Sequence, residues 1–262
     1  MRLVAIGGSG YLGRDLCREA HARGWEVVQA GHASGVGVPL DVRDGEAVTR
    51  LLADARPDVV VNLAYVQDGP DAWGTNVDGA RHVATAAAVR GCRLLQMSTD
   101  VVFDGRKGAP YVEEDEPTPC TDYGRSKAEA ERVVADVDPG ALVVRTSLIV
   151  GGPGHEASRH ELVALDREAT FYDDEIRCPV QVTDLARALL ELAALDVAGP
   201  LHVAGADAVS RADLAELVRR GPVRRAPAPS ARPLDCTLDS SRARALLRTE
   251  VRGVRAVFAR CR

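Results

Sequence analysis

The stretch "DYGRSKAEAE", residues 122–131, sets Tyr123 and Lys127 four positions apart. On a helix, residues four apart share a face. A neighbouring ammonium favours the phenolate and draws a tyrosine pKa down from ~10 towards neutrality. Such a phenol exchanges protons with an alcohol or ketone near pH 7. The composition makes this lysine conspicuous, because of 33 Lys plus Arg only Lys107 and Lys127 are lysine. Arginine is bulkier, planar and does not deprotonate in a relay. A lysine kept against that bias marks Lys127 as catalytic, whereas Lys107, in the turn "DGRKG", reads as solvated. Asparagine is as rare, with Asn62 and Asn76 its two occurrences. A Tyr-x-x-x-Lys pair alone is common on helices, so its meaning depends on its setting.

That setting is an alternation of strands and helices. "RLVAIG" (2–7) reads as a buried strand, "YLGRDLCREAHARG" (11–24) as a helix closed by Gly24, and "WEVVQAG" (25–31) as a second strand. "DGEAVTRLLADARP" (44–57) follows as a helix with Asp44 as N-cap, then "DVVVNLA" (58–64) as a third strand. A long helix over 72–91, a fourth strand "RLLQMST" (93–99), the Tyr–Lys helix (122–137) and a fifth strand "ALVVRTSLIVG" (141–151) complete the run. Strands apolar throughout and separated by helices predict a parallel sheet covered on both faces, the doubly wound α/β (Rossmann) class. "MSTD" ends the fourth strand, which puts Ser98, Thr99 and Asp100 at the carboxyl edge, where ligands bind in such sheets.

"IGGSGYLG" spaces Gly7, Gly10 and Gly13 as G-x-x-G-x-x-G between the first strand and first helix. Glycines there let the backbone turn tightly and approach a pyrophosphate, which the helix N-terminus then receives. This position predicts a dinucleotide, NAD(P). Asn62, ending the third strand, is placed to face it. The second strand ends at Gln29–His32 without the acid that would bind the adenosine ribose of NAD, so the expectation leans to NADPH over NADH, with Arg14 or His32 contributing. Asp41 and Val42 are placed to cover the adenine, with a capping or loop role for Asp41 equally open. Residues 1–150 are expected to form the NAD(P)-binding domain, its sheet completed by 181–205. Residues 151–180 and 206–262 are expected to form a small C-terminal substrate-binding lobe, in which "GPVRRAPAPSARP" (221–233) reads as a loop or extended segment.

Composition excludes several other classes. The 46% hydrophobic and 27% charged content is that of a globular chain, and a net charge of −5 with mixed signs argues against general nucleic-acid binding. The cysteines at 17, 92, 120, 178, 236 and 261 form no C-x-x-C pair, so no metal site is expected and the thiols read as reduced, cytoplasmic ones. No stretch approaches the ~18 apolar residues of a membrane span.

Together, "GGSGYLG", "RPDVVVNLAY", "STDVVFDG", "DEPTPCTDYGRSKAEAE", "RTSLIVG", "DEIRCPVQVTDLA" and "RPLDCTLDSSRARALL" resemble the extended short-chain dehydrogenases/reductases, in their branch of dTDP-4-dehydrorhamnose reductase and related sugar-nucleotide-binding proteins. The resemblance runs in order from residue 7 to 247. It implies ketone reduction, in which Tyr123 protonates the oxygen, Thr99 hydrogen-bonds it, and Lys127 tunes Tyr123 and binds ribose. It implies cofactor contacts from Gly7, Gly10, Tyr11, Leu12, Gly13, His32, Asp41, Val42, Leu63, Ala64, Tyr65, Asn76 and Ser98 besides Tyr123 and Lys127. Substrate contacts fall to Asp100, Val101, Arg177 and Arg232, and relatives often dimerise. Related dehydratases carry Glu where Val101 stands, which disfavours elimination here. The segment "GGPGHEASRHELVALDREATFY" (151–172) is shorter than in the rhamnose-type reductases and lacks their Asn-Phe pair. His155, Arg159 and His160 are alternatives for lining the pocket, or solvated. An epimerase or reductase of a non-sugar metabolite therefore stays open. So does a non-catalytic, cofactor-bound regulatory subunit like that of methionine adenosyltransferase.

Overall fold

The computed structural model describes residues 1–32 and 37–259. In chain order its first half contains β1 (Arg2–Ile6), α1 (Tyr11–Ala22), β2 (Glu26–Gly31), β3 (Val38–Pro39), α2 (Gly45–Ala55), β4 (Val59–Asn62), α3 (Gly79–Arg90), β5 (Arg93–Thr99) and α4 (Asp122–Val137). Then come β6 (Leu142–Thr146), β7 (Ile149–Val150), α5 (Arg159–Leu165), β8 (Thr170–Tyr172), β9 (Ile176–Arg177), β10 (Val180–Gln181) and α6 (Val182–Leu192). The chain closes with β11 (Gly199–His202), β12 (Val209–Ser210), α7 (Arg211–Arg219), β13 (Arg224–Ala226), α8 (Ser241–Leu246) and α9 (Val254–Ala259). Seven strands form one parallel sheet in the order β11-β6-β5-β4-β1-β2-β3. The strand order reverses beside β1, as a doubly wound α/β sheet requires. β3 was not foreseen, because two residues are too few to show a period.

The chain divides into two compact units. The first comprises Met1–Ser98, Arg125–Val144 and Ala186–Pro200. Val4 and Ile6 of β1 alternate onto one face with Val60 and Leu94, under Val48 and Leu52 of α2, Val83 and Ala87 of α3, and Ala130 and Val134 of α4. Each such aliphatic side chain contributes ~1.5–3 kcal/mol on burial. On the other face α1 packs against β1 and β2, and its Glu19 pairs with Arg187 of α6 at 2.8 Å. Asp44 caps α2 as expected, accepting from the Ala47 N–H at 2.9 Å.

The long helix expected over 72–91 is helical from residue 72 and carries a wider π-type turn within it, Gly74–Asp78. Two packing demands accompany that turn. A Cβ at Gly79 would stand 2.6 Å from Val42, and Asn76 is tied to Val66 and Ser126.

The second unit comprises Thr99–Gly124, Arg145–Leu185 and Leu201–Arg262, so 99–124 and 145–150 fall on a different side from the division expected at residue 150. It is built from three two-stranded pairs, β7 with β10, β9 with β12 and β8 with β13. Ala164, Phe171, Ala212 and Ala215 knit α5, β8 and α7 together. The Pro- and Arg-rich segment is mostly extended and supplies β13. In the short 151–172 segment, Glu161 accepts from the backbone N–H groups of Gly151, Gly152 and Ser158 at 2.7–2.9 Å, and Ser158 caps α5 in return. One buried carboxylate thus organises the loop. Among the described residues, no helix is long and apolar enough to cross a membrane.

Candidate active site

Gly7 has φ +78°, and a Cβ on it would lie 3.0 Å from the backbone of Leu63 and Ala64. A Cβ on Gly13 would lie 2.6 Å from the Gly8 backbone, so α1 can begin this close to the loop only with glycine there. Gly10 differs, since its Cβ would meet little more than the Gly7 carbonyl, at 3.1 Å. Packing does not demand Gly10; an open approach to the backbone does. α1 starts with no side-chain cap and no acid in its first turn. An uncapped N-terminus behind such a turn suits an anion. The loop therefore fits a pyrophosphate received at the N-terminus of α1, while the Gly10 N–H closes the turn on the Gly7 carbonyl at 3.0 Å.

We expect Gly13→Ala to weaken NADPH binding by about 100-fold or more, because backbone rather than a mobile side chain must give way. Titration calorimetry checks this.

Around the turn, Tyr65 and His32 are exposed, Tyr11, Leu63 and Ala64 half-buried, and Leu12 has its side chain in the core. Asp41 is gripped by Arg43, which also pairs with Asp71, and that grip holds the Asp41 carboxyl down at about 2. His32 stands 3.8 Å from Asp41, and Arg14 donates to the Ser9 carbonyl. Other residues expected at the cofactor have partners within the chain. The Val42 side chain is buried in the core against α3, and its carbonyl receives the His82 ring. Asn62 donates to Gln96 and accepts from the Ala64 N–H, so its amide faces inward. Asn76 clamps both backbone groups of Val66 and donates to Ser126 at 2.8 Å. These asparagines are rare because they build the scaffold under the site.

Lys127 lies one turn after Tyr123 on α4 and is buried, 3% exposed, while Tyr123 is half-buried. The Lys127 ammonium donates to the Met97 carbonyl at 2.6 Å. Burial pulls its pKa down to about 8, opposed by the negative charge of Glu131. Ser98 donates its hydroxyl to Glu131, so its side chain is turned into the protein and not towards a cofactor.

Thr99 opens the second unit. It sits in extended backbone at the end of β5, accepts from the Val101 N–H at 3.3 Å and contacts Asp100 at 3.2 Å. Asp100, expected as a substrate contact, is 2% exposed and accepts from the Ser147 hydroxyl at 2.6 Å. Burial raises the Asp100 pKa, with Arg177 and Ser147 pulling it back. Val101 is half-buried, and its carbonyl abuts Gly124, where any Cβ would collide.

Replacing Ser147 by Ala strips a hydroxyl that both holds Asp100 and accepts from the Cys178 N–H. We expect a stability loss of about 1–2 kcal/mol and a several-fold fall in turnover, read by thermal unfolding and kinetics.

Of the two arginines expected to capture an anion, Arg177 is buried and engaged within the chain, whereas Arg232 pairs with Glu175 and keeps 45% of its side chain exposed. Arg177 is 2% exposed and donates to the carbonyls of Ile176, Leu234 and Pro233 and to Glu175. Its donors are spent holding β9 to the 233–234 backbone. Arg232 makes a two-point pair with Glu175, at 2.7 and 3.1 Å, and lies over the Tyr172 ring. His160 is tucked against Arg211, and burial lowers its pKa to about 3, so it is neutral. Lys107 is exposed, as expected; it pairs with Asp115 and donates to the Pro110 carbonyl. Sequence reasoning gave Glu131 no role. Its signal was present, an acid four residues after Lys127 on the same helix face.

The sheet, the glycine turn and the Tyr–Lys helix after the fourth long strand are those of the extended short-chain dehydrogenases/reductases. Similarity to known proteins narrows the class. The chain belongs to the RmlD substrate binding domain family, whose profile matches residues 1–261. It is 38% identical to the dTDP-4-dehydrorhamnose reductase of Streptomyces griseus, over 76% of this chain and 67% of that protein. It is also 31% identical to methionine adenosyltransferase 2 subunit beta of Bos taurus, over 82% of this chain and 70% of that protein. A solved structure of dTDP-4-dehydrorhamnose reductase from Bacillus anthracis in complex with NADP shares the fold, with a TM-score of 0.86, 23% identity and coverage of 99% of this chain and 96% of that one.

Proposed function

We propose that this chain is a cytoplasmic, NADPH-dependent reductase of a keto group on a nucleotide-linked deoxysugar. The observation that carries this reading is Lys127, a lysine taken out of water one turn after Tyr123, on the helix that follows the strand ending in Thr99. The kinship with the Streptomyces griseus reductase supports the substrate class.

NADPH, when bound, supplies the hydride that goes to the carbonyl carbon. Tyr123 gives its phenolic proton to the carbonyl oxygen, and solvent returns that proton afterwards. Thr99 turns its hydroxyl from Asp100 to the same oxygen, a donor aimed where negative charge develops. Lys127 spends one N–H on Met97, and we assign the others to the ribose hydroxyls. Its positive charge stabilises the phenolate that forms on Tyr123. Val101 offers no acid or base for elimination.

The absence of an acid at Gln29–His32 supports NADPH over NADH. Calorimetric titration with both tests this preference, and tighter binding of NADH would reverse it. The kinship with methionine adenosyltransferase 2 subunit beta favours one second reading, a cofactor-bound subunit without turnover. Substrate-dependent NADPH oxidation separates the two.

A further inference from the structure

Glu131 is buried, 7% exposed, and takes no direct part in the chemistry above. Other buried acids have evident partners. Glu161 has three backbone N–H groups, Glu175 has Arg177 and Arg232, Asp184 has Arg252, and Glu113 receives the His202 N–H. On α4, Arg132 pairs with Glu129 and Asp136 on the exposed face. Glu131 lies on the buried face instead, one turn after Lys127, and accepts the Ser98 hydroxyl. Ser98 follows Met97, whose carbonyl accepts from Lys127. Two consecutive residues of β5 therefore hold a buried ammonium and a buried carboxylate that follow one another on a single helix face.

A buried ammonium needs a counter-charge to stay protonated, and a buried carboxylate needs one to stay ionised. We propose that Glu131 is a positioning residue for Lys127, keeping its ammonium charged and aimed at the end of β5, with Ser98 fixing the carboxylate. The catalytic consequence rests on the reductase reading; the pairing itself does not. Around Lys127, β5 presents the Met97 carbonyl and the Ser98 hydroxyl, the π-type turn presents the amide of Asn76 bonded to Ser126, and α4 presents Tyr123 and Glu131. Glu131 is the ionised group whose charge acts on Lys127.

The scarcity of lysine makes the test direct. Labelling with [13Cε]lysine gives two side-chain signals to follow by NMR, and Lys107→Arg assigns them. In Glu131→Gln, a near-isostere that still accepts from Ser98, Lys127 is expected to titrate about one pH unit lower than in the wild type. Removing a negative charge lowers the pKa of Lys127, so its ammonium is lost at lower pH. The alkaline limb of the kcat profile for ketone reduction therefore moves to lower pH as well. Glu131→Asp recovers most of both shifts, and Ser98→Ala gives a smaller shift of the same sign. An unmoved Lys127 titration in Glu131→Gln overturns the proposal, as does a fall in kcat that is uniform across pH. If Lys127 shifts but the wild type reduces no ketone, the reductase reading fails and the pairing stands. If the wild type turns over and Lys127 stays put, the reverse holds.

Discussion

Tyr123→Phe is expected to bind NADPH as the wild type does and to reduce its ketone at least about 10²–10³-fold more slowly. The variant loses one oxygen and keeps the ring, so α4 and its packing are retained. Hydride addition without a proton donor leaves an alkoxide, and Thr99 alone stabilises that charge without neutralising it. The loss falls on kcat, because the missing interaction is made only in the transition state. Calorimetry and steady-state kinetics on one preparation check both halves. Wild-type turnover by this variant would remove Tyr123 from the mechanism.

The Lys127→Arg variant is expected to lose about 10²-fold in kcat/KM, or ~2.7 kcal/mol of transition-state stabilisation, although its charge is kept. Lys127 is 3% exposed and its ammonium bonds the Met97 carbonyl at 2.6 Å. A planar guanidinium has to be fitted where a compact ammonium sits. The pH dependence of stability supplies a second readout. The ordinary lysine value is 10.5, and in the folded chain it falls to about 8. Between those values the unfolded chain still holds the proton that the folded chain has released. Folding is therefore favoured increasingly as pH rises through that window, and the gain is fully present above it. Arginine releases no proton there, so the stability gap between variant and wild type widens as pH rises. Denaturant unfolding across that range reports it, and a constant gap would mean that Lys127 stays charged throughout.

Much of the architecture was legible because it rests on local patterns. Apolar runs such as "RLVAIG" and "DVVVNLA" alternate with amphipathic helices, and the glycine spacing at 7, 10 and 13 marks the first turn. The helix start at Asp44 and the face shared by Tyr123 and Lys127 follow from spacing alone. Long-range pairing was less legible. Arg177 and Arg232 are charged residues in a polar segment, and nothing local says that distant carbonyls hold the first and that Glu175 pairs with the second. Asp100 looked like a ligand contact because it ends the strand beside Thr99, yet Ser147, far along the chain, turns it inward. Rarity served well for Lys127 and less well for the asparagines. It marks a residue that no common one replaces, and a scaffold clamp such as Asn76 meets that description as fully as a ligand contact does.

The central claim is turnover. The most direct measurement follows oxidation of NADPH by the purified chain with dTDP-4-dehydrorhamnose, beside the Tyr123→Phe variant. Substrate-dependent oxidation by the wild type, lost in the variant, is the predicted result. Tight NADPH binding with no oxidation in either protein would contradict it and leave a cofactor-bound subunit without turnover.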